Sequence, residues 1–549
     1  MSQDRKLSYW RCKACERFLY HGEFRLNCTV CDNVDYCEQC ATNMDPPHPH
    51  RMARELAYGQ EERRECAKID LATGIRAAMI MYHDRHCMGT RDIDPNNPDV
   101  FLDSYSWLTF KTIGQRSQNF GHGLRRLIQP HQYLAICAKN RPEWMITDFA
   151  CIFQGIVSVP IYTLFSKDEI CYILNNTNVS VVVCDREMLP KFVDLHSQCL
   201  SLKHIICMDE VPRKSSMNNL LIHSMNDIEQ NGIQKKYDYV DLQPDDYLTI
   251  IYTSGSSGFP KGAIRSEQAF RASFPRWCLP STQEMITFSY RPLAWATDRD
   301  GTIASVLSGG KVGFSTGDPT RLMEELALVR PTTFSAAPSI WNKIYNEFQT
   351  TLAVIKVQSS SEFVPYAEQQ LLNQFSRLIP NRCRSITIGG AMVSPTVLNF
   401  MRQCFRQRAI FESYGASECG SIAHNGLPKD TLDYRLESVP EMGYTTDDQP
   451  YPRGELLAKT PQMFSGYINN PQETQTSFTQ DGFFRTGDIV ELYTDQHDQT
   501  HIRVIDRKKN FFKLAQGQFV SPEYLQNIYL QSSFVQQIYI HGDLLSHCV

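Results

Sequence analysis

From residue 115 to residue 253 the chain alternates apolar runs of strand length with stretches that favour helix. Tyr133 to Ala138, Gly155 to Tyr162, Val179 to Asp185, His204 to Asp209 and Tyr247 to Thr253 read as strands, with helical stretches such as Gln115 to Ile128 and Lys167 to Asn175 among them. Alternation sustained over this length predicts an α/β fold: a layered core of mixed, largely parallel sheets with helices. At 549 residues and 63.0 kDa the chain exceeds one ordinary core, so several domains are expected, and a hydrophobic content of 42% suits a globular protein. No internal repeat or low-complexity tract is visible.

Directly after the last of these strands comes Thr253-Ser254-Gly255-Ser256-Ser257-Gly258-Phe259-Pro260-Lys261-Gly262. Glycines let backbone N–H groups approach phosphate oxygens, and the hydroxyls and Lys261 add donors and positive charge, so the segment reads as a nucleotide-phosphate loop. A flexible linker rarely follows a buried strand or ends in Pro-Lys-Gly. The spacing from Gly255 to Lys261 differs from the Walker pattern GxxxxGK[ST], and Gly262 stands where that pattern needs a hydroxyl.

A net charge of −5 and a pI near 6.3 give no electrostatic footprint for nucleic acid. Met1 to Lys6 lacks the apolar stretch of a signal peptide, and the most apolar region, Met145 to Phe165, is interrupted by Asp148, Gln154 and Pro160. The expectation is a cytoplasmic protein without a transmembrane segment, free to touch an intracellular membrane from outside.

Of 19 cysteines, six form three CxxC pairs, Cys12/Cys15, Cys28/Cys31 and Cys37/Cys40, followed by His48 and His50. Eight such ligands make two tetrahedral zinc sites, whose binding energy would fold a segment too short to bury a core. The pattern is similar to ZZ-type zinc fingers. That resemblance implies one ion on Cys12, Cys15, Cys37 and Cys40, a second on Cys28, Cys31, His48 and His50, and an unknown protein or peptide partner.

The loop at 253–262 resembles the signature loop of the adenylate-forming, or AMP-binding, superfamily, and the resemblance covers roughly residues 70 to 549. Cys87-Met88-Gly89-Thr90-Arg91, Asn140-Arg141-Pro142-Glu143-Trp144 and Val159-Pro160-Ile161-Tyr162 look like the long-chain acyl-CoA synthetase branch. Arg453-Gly454-Glu455-Leu456-Leu457 looks closer to the adenylation domain of carboxylic acid reductases. The implied domains are the finger at 7–54, a large AMP-binding core at 55–508, and the start of a truncated C-terminal lobe at 509–549.

The resemblance also distributes roles. Thr253 to Gly258 and Lys261 would hold the phosphates of ATP, with Ser417 beside them and Glu418 on Mg²⁺. Gly389, Gly390 and Ala391 with Ser413, Tyr414 and Gly415 would flank adenine, Asp488 would take the ribose hydroxyls, and Arg507 would lie near ribose and phosphate. Lys261, Ser417 and Glu418 are the expected catalytic residues. Lys508-Lys509-Asn510 falls at the family's hinge, and Phe512 to Gly517 would line the thiol channel. The implied reaction is ATP- and Mg²⁺-dependent activation of a carboxylic acid, with a fatty acid expected, to an acyl-adenylate, then transfer to CoA or to a carrier-protein thiol. The alternatives are the adenylation module of a carboxylic acid reductase-like system and a nucleotide-binding adaptor or pseudoenzyme.

Two departures stand out. Trp295, in Arg291-Pro292-Leu293-Ala294-Trp295, occupies a position where relatives commonly carry histidine, and Arg299 is a candidate carboxylate anchor. The chain also ends about forty residues beyond the hinge, without the lobe's late lysine, which would slow adenylation.

Overall fold

The computed structural model describes residues 69–548 except 212–215, 218, 254–257, 275–283, 516–518, 530, 531, 533, 534, 536, 537 and 544–546, together with five short backbone strands between Trp10 and Leu56. Of those five, Phe24–Cys28 lies between Asp35–Cys37 and Met52–Leu56 in an antiparallel sheet. The expected zinc ligands Cys12, Cys15, Cys31, Cys40, His48 and His50 lie outside the described residues, as do the side chains of Cys28 and Cys37.

The chain forms two compact units, one of Met1–Thr332 with Gln462–Pro471, the other of Thr333–Pro461 with Gln472–Val549. This division runs through the segment 55–508 that the sequence groups as a single core.

The first unit opens with α1 (Leu71–Met81), β1 (His86–Asp94), β2 (Asn97–Thr109) and α2 (Phe110–Leu124). Alternation follows through β3 (Tyr133–Cys137), α3 (Pro142–Phe153), β4 (Val157–Pro160), α4 (Lys167–Thr177), β5 (Val181–Cys184), α5 (Leu189–Leu195), β6 (His204–Cys207), β7 (Leu220–Ser224) and α6 (Met225–Gln234). The hairpin β8 (Tyr247–Thr253) and β9 (Lys261–Ser266) comes next, then β10 (Ile286–Ser289), α7 (Ala296–Leu307) and β11 (Lys311–Phe314).

Strands β7-β6-β5-β3-β4-β8-β9 lie side by side in one sheet, with Ser216–Met217 at its β7 edge. From β7 to β8 the neighbours are parallel; β9 returns antiparallel. The parallel arrangement follows from the sequence. All four residues of β4 and of β5 are buried, so these strands are apolar on both faces and must be covered by helices on each side. Local signals set the helix ends. Ser166 and Glu169 form a reciprocal capping box at the start of α4, and Asn178 closes it in the left-handed conformation at φ 50°. Because β3, β4 and β8 run in one direction, Lys139-Asn140, Ile161-Tyr162 and Thr253 all lie at the carboxyl edge of the sheet, where open α/β sheets bind ligands.

The second unit carries β12 (Thr333–Ala336), α8 (Pro338–Gln358), α9 (Val364–Ser376), β13 (Ser385–Gly389), α10 (Pro395–Cys404), β14 (Ala409–Ala416) and β15 (Gly420–His424). A second sheet holds β16 (Asp433–Glu437), β17 (Arg453–Lys459), β18 (Phe484–Thr494) and β19 (Thr500–Arg507), antiparallel throughout. Ser394 caps α10: its hydroxyl accepts from Val397 N at 3.3 Å, and Pro395 is the first helical residue. Val397, Met401 and Phe405 are buried, as their spacing predicts. Among the described residues no helix is long and apolar enough to cross a membrane.

Candidate active site

In the first unit the expected phosphate loop is bracketed by the antiparallel strands β8 and β9. Thr253 and Lys261 are opposite each other in the antiparallel register of β8 and β9, so the ladder itself sets their spacing. Ser254, Gly255, Ser256 and Ser257 lie outside the described residues. Gly258 adopts φ +95°, open to glycine and strained for most other residues. Phe259 stacks on Tyr172 of α4, with centroids 4.7 Å apart and an interplanar angle of 21°, and the Lys261 ammonium lies 5.6 Å from the Tyr467 ring. The reason for Gly262 is packing: a Cβ there would meet Ile468 Cγ2 at 2.7 Å and Ile250 Cγ2 at 2.8 Å. The segment around Gly466 runs beside β9, with Ile264 N donating to Gly466 O at 3.0 Å and Ile468 N to Gly262 O at 2.9 Å.

Asn140 organises the neighbouring part of the carboxyl edge. Its amide donates to Ser289 Oγ at 2.9 Å and to Arg291 O at 2.5 Å, and its carbonyl accepts from Leu293 N at 2.9 Å. The motif residue thereby holds the Arg291–Trp295 loop. Asp298, which sequence reasoning did not single out, accepts from Ser289 Oγ and pairs with Arg291 Nε at 3.5 Å. Burial raises its carboxyl to about 6, against the lowering pull of Arg291. Trp295 is half-exposed at the start of α7, and its ring lies 5.5 Å from that of Tyr162.

Arg299 is not placed as a substrate anchor. It is 1% exposed and forks onto Asp148, with Nε to Oδ2 at 2.8 Å and Nη2 to Oδ1, while Nη1 reaches Thr249 Oγ1 at 2.7 Å and Nη2 reaches Ser158 Oγ at 3.1 Å. The guanidinium is a buried cross-link joining α3, β4, β8 and α7. An isolated Asp148 inside an otherwise apolar helix face was the available signal for such a partner.

In the second unit the residues expected to flank adenine and ribose gather at one place. Gly389 and Ser413 are register partners in β13 and β14, and a Cβ on Gly389 would stand 2.9 Å from Ser413 O. Gly390 takes φ +89° with open space around it, and Ala391 beside it is exposed. Tyr414 Oη donates to Asp488 Oδ2 at 2.6 Å, joining the two sheets of this unit, and Gly415 follows in the same strand. Asp488 and Arg507 face each other in the register of β18 and β19, with Nε to Oδ1 at 3.5 Å.

Asp488 lies within β18, where positive φ at Gly487 and a bulge after Ile489 bend the strand. Burial lifts its carboxyl above the ordinary aspartate range, opposed by the Tyr414 hydroxyl and Arg507. Burial and the Asp488 charge in turn push the Tyr414 hydroxyl well up, so it stays a donor.

Ser417 and Glu418 occupy the turn between β14 and β15, both half-buried. Among the described residues no group of three or more His, Cys, Asp or Glu side chains is arranged to hold a metal alone. A single glutamate beside a hydroxyl fits Mg²⁺, which takes one or two carboxylates and completes its shell with phosphate oxygens and water. Lys508-Lys509-Asn510 forms a turn pinned by Lys508 N to Gly487 O at 2.7 Å and Lys508 Nζ to Glu455 Oε2 at 3.1 Å. Of the channel segment, Phe512–Lys513 pairs with Phe519–Val520, and residues 516–518 lie outside the described residues.

Residues 92–468 match the AMP-binding enzyme family. The long chain acyl-CoA synthetase 6, peroxisomal, of Arabidopsis thaliana is 31% identical over 500 residues, which cover 84% of this chain and 70% of the relative. The long-chain-fatty-acid–CoA ligase 5 of Rattus norvegicus is 30% identical over 507 residues, covering 84% and 71%. Among solved structures, the adenylation domain of a carboxylate reductase from Mycobacterium chelonae superposes with a TM-score of 0.79 at 24% identity, covering 89% of this chain and 80% of that one. The A domain of carboxylic acid reductase from Segniliparus rugosus, in complex with AMP and a co-purified carboxylic acid, gives 0.76 at 24% identity, covering 89% and 83%. These two share the fold. The chain belongs to the AMP-binding enzyme family. Within it, the protein falls in the class of AMP-forming acid–thiol ligases.

Proposed function

We propose that this protein activates a long-chain fatty acid with ATP and passes the acyl group to CoA. In the first step a carboxylate oxygen of the acid attacks the α-phosphorus and pyrophosphate leaves. In the second the thiol sulfur attacks the acyl carbonyl, the thiol proton is lost to solvent, and AMP leaves. The observation that carries the reading is the Tyr414–Asp488–Arg507 constellation, in which an ionisable acceptor and a cation sit beside an aromatic residue and a glycine corner. Likeness of 31% and 30% to a long chain acyl-CoA synthetase and a long-chain-fatty-acid–CoA ligase supports a long-chain fatty acid as the substrate.

In this reading Lys261 and Thr253, with the loop Ser254 to Gly258, hold the phosphates, and Ser417 donates to them. Mg²⁺ bound by Glu418 and phosphate oxygens would neutralise charge developing on pyrophosphate. Asp488 accepts the ribose hydroxyls, Arg507 lies by the ribose, and Gly389 to Ala391 with Ser413 to Gly415 admit the base. Fatty-acid-dependent exchange of pyrophosphate into ATP, followed by thioester formation on CoA, tests the proposal. Folded protein that neither exchanges pyrophosphate nor binds ATP rejects it.

A second acceptor is favoured by Arg453 to Leu457, whose likeness is to reductase adenylation domains. If acyl transfer proceeds only to a carrier-protein thiol and never to CoA, that reading replaces the first. For the N-terminus we propose a ZZ-type module at 7–54 that binds two Zn²⁺ and recruits a protein partner, supported by the three CxxC pairs and His48-x-His50. Metal analysis of the purified chain finding no bound zinc would remove it.

A further inference from the structure

The thiols of Cys171 and Cys199 lie 3.6 Å apart, sulfur to sulfur. Cys171 is half-buried on α4, and Cys199, buried, ends the short turn His196–Gln198 that follows α5. Of the eleven free cysteines described, only Cys171 and Cys548 are not buried. The pair therefore joins a thiol that a small reagent can reach to one that it cannot. By contrast Cys137, Cys184 and Cys207 are register neighbours on β3, β5 and β6 but are all fully buried, so no oxidant reaches them.

We propose that Cys171 and Cys199 are a modification site: a dithiol that reacts with glutathione disulfide to form a reversible cross-link between α4 and the turn after α5. The Cys171 thiol loses its proton to solvent and its sulfur attacks one sulfur of glutathione disulfide, giving a mixed disulfide and releasing one glutathione thiolate. The Cys199 thiol then loses its proton, its sulfur attacks Cys171 Sγ, and the second glutathione thiolate leaves. Two protein thiols are oxidised by two electrons and one glutathione disulfide is reduced to two glutathione molecules. Forming the bond closes the sulfurs by about 1.5 Å, from 3.6 Å to the disulfide length, a gap that side-chain rotation and a small shift of α4 can cover.

The order of attack follows from the surroundings. Burial and the adjacent Cys171 push the Cys199 thiol up to about 12, so Cys171 attacks first and Cys199 resolves. The same reluctance makes Cys199 a poor leaving group, so the cross-link, once formed, persists.

The cross-link bears on the phosphate hairpin through α4. Tyr172, next to Cys171, carries Phe259 on its ring, and Tyr252 Oη donates to Asn176 Oδ1 at 3.4 Å. Drawing α4 toward Cys199 displaces both supports, so ATP should bind less tightly to the oxidised form; this part rests on the nucleotide reading above.

The test incubates the full chain at increasing ratios of glutathione disulfide to glutathione, alkylates the remaining thiols, and maps disulfides by mass spectrometry without reductant. The expected result is a peptide linking Cys171 to Cys199, lost on adding dithiothreitol and absent in Cys171→Ser. Cys199→Ala should instead stop at glutathione on Cys171, which shows the order of steps even if one variant is less stable. Alkylation of both cysteines at every ratio, or a glutathione adduct alone in the native sequence, overturns the proposal. ATP titration of reduced and oxidised chains completes the test. Equal affinities with the cross-link formed reject the coupling to the hairpin. No ATP binding in either form rejects the nucleotide reading, while the linked peptide still supports the dithiol.

Discussion

Arg299 shows how much a single side chain can decide. Its guanidinium is buried against Asp148 with further bonds to Thr249 and Ser158, so removing it strands a carboxylate in an apolar interior. Arg299→Met is expected to destabilise the folded chain by about 3–5 kcal/mol, whereas Asp148→Leu combined with Arg299→Met should recover much of that loss. Denaturant unfolding of both variants checks this. Asp298 makes a pH-dependent counterpart. Folding raises its carboxyl from the ordinary aspartate value to about 6, so protonation favours the folded chain. That contribution is complete below the unfolded aspartate range and is lost as pH rises through about 6, amounting to about 3 kcal/mol. Asp298→Asn should remove this part of the pH dependence, and the difference between the two urea-midpoint profiles isolates it. At Lys261 the expectation concerns chemistry. Lys261→Ala should lower fatty-acid-dependent pyrophosphate exchange about 10²-fold or more with circular dichroism unchanged, because it deletes a cation that would face developing charge.

The β8–β9 hairpin is an element in which fold and proposed function make different demands on adjacent residues. Thr253 and Lys261 are matched by the ladder, Phe259 is held by Tyr172 of α4, and Gly262 is required by Ile468 and Ile250. Gly262→Ala should therefore act as an overpacking change, costing about 1–3 kcal/mol and disturbing the strand beside Gly466. Thermal unfolding gives the stability loss. Nucleotide affinity should fall with it, because the same strand begins at Lys261. On strand β18, the raised carboxyl of Asp488 predicts that nucleotide binding weakens as pH falls, beginning above the ordinary aspartate range. A protonated acid cannot accept both ribose hydroxyls, and calorimetric titration across acidic pH reads the effect directly.

At the scale of the whole molecule the chain comprises two compact units. ATP with Mg²⁺ at a hundred times its dissociation constant should add about 2.7 kcal/mol to folding stability, and chelating Mg²⁺ should remove most of that gain. Melting curves with and without the ligand check it. Much of this architecture was legible in the chain because its signals are local. Continuous apolar runs became the buried parallel strands, Ser394-Pro395 started a helix, and the Gly/Ser loop followed its strand. What remained illegible involved partners distant in sequence. Arg299 reads as a free cation until Asp148, 151 residues away, is seen to claim it. Asp298 reads as an ordinary helix residue until Ser289 and Arg291 enclose it. That Asp488 stands opposite Arg507 is seen only once β18 and β19 pair. By itself the sequence determined the class of fold, since periodicity, capping and glycine placement act over a few residues. Only the tertiary structure decided which charges are spent on holding the core and which are left for a ligand, because burial and long-range pairing set a charged group's energy and neither is written in its neighbours along the chain.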